Sequence, residues 1–309
     1  MSIYLVTGGA GFVGSHIVNN LIENGKKVRV LDNLSTGDLK NLQNCVKKIE
    51  FVKGDIRSKN DVTKALKNIS YVLHLAAFTS VNCSIKNPLL TNDVNINGTL
   101  NLLISAKRYG VKKVVFASSC AVYGNGFKAS LNETVLPNPL SPYAASKLSG
   151  EYYCKIFSQL YGLETIILRY FNIFGPGQPF KNEYSVVIPK FINCLIKNRP
   201  LPIYGSGKQV RDFVYIDDVV RANMLVLNSK KTLKGRIFNI ASGKNYSILD
   251  LAFRLSKKLN RKAVFNFKPT RDGDIWYSRG DIALIKKELN WKPLVDFNEG
   301  LAKTVADFK

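Results

Sequence analysis

The chain has 309 residues, 46% of them hydrophobic and 22% charged. It is long enough to bury one large core or two unequal ones, and too apolar to be disordered throughout. Its 45 basic against 22 acidic residues give a formal charge of +23, and it contains no run of apolar residues long enough for a membrane-spanning helix.

Such a charge fits a nucleic-acid or anionic-membrane partner, or a lysine-rich solvated surface. The paired lysines at 26–27, 47–48, 112–113, 230–231, 257–258 and 286–287 are scattered rather than gathered in a stripe. That pattern favours the solvated surface, with no membrane partner and no nucleic-acid partner expected. The opening residues Met1-Ser2-Ile3-Tyr4-Leu5-Val6 read as a strand, not a secretory signal. Cys45, Cys83, Cys120, Cys154 and Cys194 are odd in number, widely spaced and free of any Cys-x-x-Cys pattern. Reduced thiols in a cytoplasmic protein are expected. With two histidines in the chain, no metal site is expected.

In chain order, the pattern predicts a strand over 2–6, a helix over 12–24 and strands over 27–31 and 49–52. A helix near 58–67, a strand over 71–75, a helix over 95–109 and a strand over 113–118 follow. A long helix over 143–161 and a strand over 164–169 close the series. Strands alternating with helices at this pace predict an α/β protein with a doubly wound parallel sheet of Rossmann type. Beyond Asn172 the texture changes. A Gly/Pro loop over 175–179 precedes a helix near 187–197, a Gly-rich hairpin region over 201–213 and a mixed remainder. The expected division is a dinucleotide-binding domain over 1–170, with segments near 213–240 returning to it, and a smaller α/β domain mainly over 171–309.

The first strand runs into Thr7-Gly8-Gly9-Ala10-Gly11-Phe12-Val13-Gly14 and then a helix. Gly8 permits a tight turn, Gly11 lets the backbone approach a pyrophosphate, and Gly14 lets helix and strand pack closely. The helix N-terminus offers unpaired N–H groups to the phosphates. Asp32 ends the second strand 18 residues after Gly14. A carboxylate there accepts from both adenosine ribose hydroxyls and repels a 2′-phosphate, which predicts NAD rather than NADP; the plainer reading is a turn residue. Asp55 falls where the adenine edge would lie, or else caps a helix.

Ser141-Pro142-Tyr143-Ala144-Ala145-Ser146-Lys147 sets Tyr143 and Lys147 four apart at a helix start, on one face. The Lys147 charge, joined by that of an oxidised nicotinamide, is expected to lower the Tyr143 phenol so that it acts as a base. Ser118-Ser119-Cys120 ends a strand, and strand carboxyl ends line the ligand crevice of such a sheet. Both serines should therefore face the crevice; the plainer reading of Ser119 is a capping hydroxyl.

Taken together, TGGAGFVGS (7–15), DNLSTG (32–37), GDIR (54–57), HLAA (74–77), SSCAVYG (118–124), SPYAASK (141–147), RYFNIFGPGQ (169–178), YSVVIP (184–189) and RDFVYIDDV (211–219) resemble the extended short-chain dehydrogenase/reductases. The resemblance lies in their NAD-dependent nucleotide-sugar epimerase/dehydratase branch, nearest the UDP-glucose 4-epimerases, and runs along essentially the whole chain. It implies Tyr143 as base, Lys147 on the nicotinamide ribose and Ser119 as proton relay. It implies cofactor contacts from Phe12, Val13, Asn33, Ser35, Ile56, Leu75, Ala76, Ala77 and Tyr170. For a UDP-hexose it implies Asn172, Arg211 and Arg271 at the diphosphate, and Val187, Pro202 and Tyr204 around the uracil. Tyr204 reads equally well as a strand-core aromatic. A homodimer through the helices near 95–109 and 142–160 is also implied.

The sequence departs from the family pattern at several positions. Val94 holds a position aligned with an epimerase asparagine, and neither Asn95 nor Asn97 is assigned an amide role. Cys120 reads as packing. The acidic pair that follows the catalytic hydroxyl in 4,6-dehydratases is replaced by Cys120-Ala121, which counts against water elimination. Asp274 and Asp281 set a register that places Ser278 where enzymes confined to plain hexoses carry a bulky Tyr. A Ser there leaves room for an N-acetyl group, unless the register is off by one, onto Tyr277. The expected reaction is NAD-dependent inversion of carbon-4 of a UDP-hexose, the N-acetylated pair included. A nucleotide-sugar decarboxylase or reductase is the alternative within the family. A non-catalytic, RNA-associating NAD-binding protein is the alternative outside it, and rests on the charge alone.

Overall fold

The computed structural model describes residues 2–125, 130–180, 186–270 and 275–308. Runs rich in Val, Ile and Leu form β1 (Ile3–Thr7), β2 (Lys27–Asp32), β3 (Ile49–Lys53), β4 (Tyr71–His74), β5 (Lys113–Ser119) and β6 (Glu164–Tyr170). Among them lie helices α1 (Phe12–Glu23), α2 (Lys59–Leu66), α3 (Val81–Lys86), α4 (Pro88–Asn92), α5 (Gly98–Arg108) and α6 (Pro142–Leu160). Then come β7 (Asn172–Phe174), α7 (Val187–Ile196), β8 (Leu201–Tyr204), β9 (Val210–Arg211), β10 (Phe213–Tyr215) and α8 (Ile216–Asn228). The chain ends through β11 (Arg236–Ile240), β12 (Tyr246–Ser247), α9 (Ile248–Leu259), β13 (Phe265–Lys268), α10 (Ala283–Leu289) and α11 (Phe297–Ala306).

Seven strands form one sheet in the order β11-β6-β5-β4-β1-β2-β3, and every pairing in it is parallel. This is the doubly wound Rossmann-type sheet that the strand–helix alternation predicts, with β11 returning late in the chain to extend its edge. Alternation along each strand supplies two cores. Tyr4, Val6, Val115, Ala117, Ile166 and Leu168 pack on one face, and Leu5, Val114, Phe116 and Ile167 on the other. Capping sets the helix starts that matter for the site. Ser141 Oγ accepts from the Ala144 N–H, and Pro142 occupies the first helical turn. Tyr143 thereby sits at the very start of α6.

Two expectations are corrected. The region 201–213 is not a hairpin: β8 pairs with β13, β9 with β12 and β10 with β7, so each short strand finds a partner distant in sequence. The glycines there turn the chain between separate strand pairs rather than back on itself. The helix expected over 95–109 begins earlier, because α4 runs through a π-helical turn, Asp93–Asn97, into α5. Among the described residues no helix is long and apolar enough to cross a membrane. All five cysteines are free thiols.

Candidate active site

A cavity opens along the carboxyl ends of β1, β2, β4, β5 and β6. Gly8, Gly11, Phe12, Val13 and Gly14 line its floor. Gly8 has φ +69°, and a Cβ on Gly14 would stand 2.1 Å from the Gly8 carbonyl oxygen. The turn and the close packing therefore both require glycine. No side chain caps the first turn of α1, so its N–H groups face the cavity unclaimed by a capping group.

One end of the cavity lies beyond β2 and β3, where Asp32, Asn33, Ser35, Asp55 and Ile56 line it. The buried Asp32 carboxylate accepts from the Ala10 N–H (2.9 Å) and the Leu34 N–H (2.8 Å). Each oxygen keeps a further lone pair for a ligand. Asn33 Nδ2 donates to Asp55 Oδ2 at 2.9 Å. Hydrogen bonds from Arg57 hold the Asp55 carboxyl down at about 2. The cap of α2 is Ser58, so Asp55 is not the helix cap that its position also allowed.

Leu75, Ala76, Ala77, Ser119, Tyr143, Lys147 and Tyr170 line the opposite end. Lys147 Nζ donates to the Ala117 carbonyl at 2.9 Å and lies 5.9 Å from the Tyr143 ring centre. Ser119 Oγ accepts from the Ala121 N–H at 3.2 Å and is also hydrogen-bonded to the Tyr143 side chain. It is thus both the cap and the neighbour of the phenol. Ser118 borders the cavity, but its hydroxyl turns away to the buried Glu151. The expectation that both serines present hydroxyls to the crevice holds for Ser119 alone, because successive strand residues point to opposite faces.

Burial sets the electrostatics of this corner. Burial pushes the Tyr143 phenol up to about 12, and the Ser119 hydrogen bond lowers it only in part. Burial also brings Lys147 down to about 8. The chain's own groups leave the phenol well above neutrality, with desolvation of the buried phenolate the largest influence.

Of the residues expected to hold a UDP-sugar, Ser119 and Tyr143 line this cavity, whereas Asn172, Val187, Pro202, Tyr204, Arg211 and Ser278 do not. Asn172 begins β7, and its Nδ2 donates to the Asp212 carbonyl at 2.9 Å. Arg211 ends β9, with Nη1 donating to the Val210 carbonyl at 2.9 Å. Val187 opens α7 and packs against the larger core. In β8, Leu201 and Ile203 take the buried positions while Pro202 and Tyr204 face outward, so Tyr204 is not a strand-core aromatic. Lys190 Nζ lies 5.8 Å from its ring centre. Arg271 falls outside the described residues. Ser278 is buried, with Oγ 3.9 Å from Cys120 Sγ, whereas Tyr277 Oη meets Asn245 Nδ2 at 3.2 Å. The two side chains point opposite ways, and Ser278 is the one directed at the Ser119–Cys120 corner. Behind them Asp212 is fully buried. Its carboxylate accepts from Ser242 N (2.7 Å), Ser242 Oγ (2.7 Å), Gly243 N (3.0 Å) and Gly280 N (3.1 Å). Burial nonetheless pushes its carboxyl up to about 6.

Several supporting residues were not singled out from the sequence. Asn95 has a clear amide role. Its Oδ1 accepts from Phe78 N (2.7 Å), and its Nδ2 donates to the Phe78 carbonyl (3.1 Å) and to Ser146 Oγ (2.9 Å). It thereby ties the loop after β4 to α6. The available signal was a lone amide between Val94 and Ile96. His74 is buried and held neutral, pushed down to about 3 by desolvation and by Lys147. Thr99 Oγ1 donates to the Asn95 carbonyl (2.6 Å), so it accepts from His74 Nε2 (3.0 Å), and His74 Nδ1 accepts from Thr7 Oγ1 (2.7 Å). Glu151, one turn beyond Lys147, is buried against Arg169, with Oε2 2.6 Å from Nη2 and Oε1 2.8 Å from Nε. This pair backs the helix that carries Tyr143.

The glycine cradle, the uncapped helix start and the paired carboxylates at the far end fit a dinucleotide such as NAD. Comparison with known proteins agrees. The sequence profile of the NAD dependent epimerase/dehydratase family matches residues 4–241. The UDP-glucose 4-epimerase of Mycolicibacterium smegmatis is 37% identical over 310 residues, 99% of this chain and 98% of its own. The structure of UDP-N-acetylglucosamine 4-epimerase from Methanobrevibacter ruminantium, in complex with UDP-N-acetylmuramic acid, is 41% identical with a TM-score of 0.94, covering 99% of this chain and 98% of that one. The UDP-glucose 4-epimerase of Thermus thermophilus in complex with NAD is 37% identical with a TM-score of 0.92, over 99% and 98% of the two chains.

Proposed function

The chain belongs to the NAD dependent epimerase/dehydratase family, and from that premise we propose that it inverts carbon-4 of a UDP-hexose, taking both the plain and the N-acetylated sugar. NAD is the cofactor. The observation that carries the reading is the corner where Tyr143, Ser119 and Lys147 meet in the cavity lining. The family name spans dehydratases too, and water elimination needs an acid at that corner. Among the described lining residues the carboxylates are Asp32 and Asp55, both at the far end.

Bound NAD supplies a hydride acceptor, and a charge that favours the phenolate. Tyr143 Oη takes the proton of the sugar 4-hydroxyl, and the Ser119 hydroxyl holds that oxygen in line. Lys147 orients the nicotinamide ribose and favours phenolate at Tyr143. The same phenol returns the proton after the 4-keto sugar has turned over. Asn172, Arg211 and Arg271 hold the diphosphate, with Val187, Pro202 and Tyr204 at the uracil, so the sugar turns while its nucleotide stays fixed. Two guanidiniums suit that task because each can bind phosphate oxygens bidentately. Ser278, small and aimed at Cys120, leaves room for an N-acetyl group. On this reading residues 1–170, with the segments near 213–240, serve NAD, and 171–309 mainly serve the UDP-sugar. Exposed Ile104 on α5 and Tyr152, Ile156 and Leu160 on α6 form an apolar stripe suited to a homodimer.

The test incubates purified protein, without added cofactor, with UDP-glucose, UDP-N-acetylglucosamine and UDP-glucuronate, and identifies products by NMR. Carbon-4 inversion of the first two is expected. Release of carbon dioxide from the third, with no inversion of the others, would make the protein a decarboxylase.

A further inference from the structure

Gln178 is a buried side chain, 7% exposed, that lines the cavity and that the proposed chemistry leaves unused. Its Nε2 donates to the Ile173 carbonyl at 2.9 Å. Its Oε1 is buried with no hydrogen-bond partner among the described residues. The amide cannot be turned round, because Oε1 would then face the Ile173 carbonyl, acceptor against acceptor. The orphan atom is therefore an acceptor, and a buried acceptor without a donor is a cost that native chains rarely carry without reason.

The loop holding Gln178 is anchored by three contacts. His16 Nε2, on α1, donates to the Pro176 carbonyl at 3.0 Å; the Gly177 N–H donates to Asp307 Oδ2 at 2.7 Å; and Phe180 packs on Phe308 with ring centres 5.1 Å apart. One of these contacts comes from α1, the helix whose first turn faces the dinucleotide, and the other two from the chain after α11. Around it the lining is apolar, from Phe171, Ile173, Pro179 and Val186. An apolar lining with one fixed acceptor matches a heteroaromatic ring bearing a primary amide.

We propose that Gln178 is a cofactor-positioning residue whose Oε1 accepts a hydrogen bond from the carboxamide N–H of the nicotinamide, fixing the rotation of the ring beside Tyr143. The inference rests on the NAD reading and adds to it a residue that sets ring orientation. On that reading Lys147 holds the nicotinamide ribose and the sugar 4-hydroxyl meets Tyr143, so the carboxamide is the donor left for Oε1.

The probe is a pair of dinucleotides. NAD carries the carboxamide; 3-acetylpyridine adenine dinucleotide is nearly the same shape but has no N–H donor. Holoenzyme is incubated with excess of both at equal concentration and freed of unbound nucleotide, and the bound dinucleotides are released and quantified. The wild type should retain NAD over the analogue by about tenfold or more, because the analogue leaves Oε1 unpaired. In Gln178→Met the ratio should fall below about threefold, as a thioether demands no donor. A wild-type ratio below about twofold, or a ratio unchanged in the variant, overturns the proposal. If Gln178→Met does not fold, Gln178→Asn, which withdraws the amide by one methylene, takes its place with the same expectation. Wild-type protein that retains neither dinucleotide would overturn the NAD reading itself, and is thereby distinguishable from failure of the Gln178 assignment.

Discussion

The proposed cofactor side and the proposed sugar side of this site are built in different ways. On the cofactor side the residues stand at the ends of neighbouring parallel strands of one sheet, so strand spacing and register set their separations. On the sugar side Asn172, Pro202, Tyr204 and Arg211 stand on two-stranded pairs, β7 with β10, β8 with β13 and β9 with β12. These are tied by a few polar links, of which Asp212 gathers the most. A continuous sheet positions a ligand by repetition. Separate strand pairs position one only while their ties hold, so damage on the sugar side should leave the cofactor side intact.

Removing the base tests the junction of the two sides and carries the largest effect. Tyr143→Phe should keep fold and NAD content but lose at least about a hundredfold in turnover, measured as kcat on UDP-glucose beside the bound-NAD absorbance. Wild-type turnover would remove Tyr143 from its role.

Asp212→Ala tests the tether. It strands the N–H groups of Ser242, Gly243 and Gly280 and should cost about 3 kcal/mol of stability, read by urea unfolding. KM for UDP-glucose should rise by about tenfold or more with NAD retained. Equal loss of NAD would erase the contrast between the two sides. The same carboxyl has a pH signature. Its folded value is raised from 3.8 to about 6, so between these values the folded chain keeps a proton that the unfolded chain releases. Its contribution to stability is complete below about pH 4 and is lost as pH rises through 6. Asp212→Asn, which cannot titrate, should remove that component from the slope of Tm against pH.

Ser278→Tyr sharpens the sugar side alone. kcat/KM for UDP-N-acetylglucosamine should fall by about tenfold more than for UDP-glucose, by steric overlap. Equal losses would detach Ser278 from sugar choice. Asp32→Ala, on the cofactor side, should narrow the preference for NAD over NADP by several-fold without abolishing NAD binding, in titrations of both cofactors. The smallest effect concerns the +23 charge. Binding to RNA should be weak and should vanish in a gel-shift series by moderate salt.

Much of the cofactor side was legible in the sequence because its signals are local. Gly8, Gly11 and Gly14 with Asp32 describe one strand, one turn and the next strand; Tyr143 and Lys147 share one helical turn behind a Ser-Pro cap. Each depends on backbone geometry that neighbouring residues set, and the alternation of strands and helices specified the parallel sheet in the same way. Residues defined by long-range contacts were not legible. Asn95 acquires its role from Phe78 and Ser146, Glu151 from Arg169, and Gln178 from Ile173 and the cavity wall. The false hairpin at 201–213 has the same cause: its strands pair with segments far along the chain, and nothing in their own pattern names the partner. By itself, then, the sequence determined the nucleotide loop, the carboxylate that follows it, the proposed base and its lysine. Only the tertiary structure decided which serine hydroxyl meets the phenol, that Ser278 rather than Tyr277 meets Cys120, and that burial holds Tyr143 at about 12. Side-chain direction, desolvation and hydrogen-bond partnership across the chain exist only once distant segments are packed together.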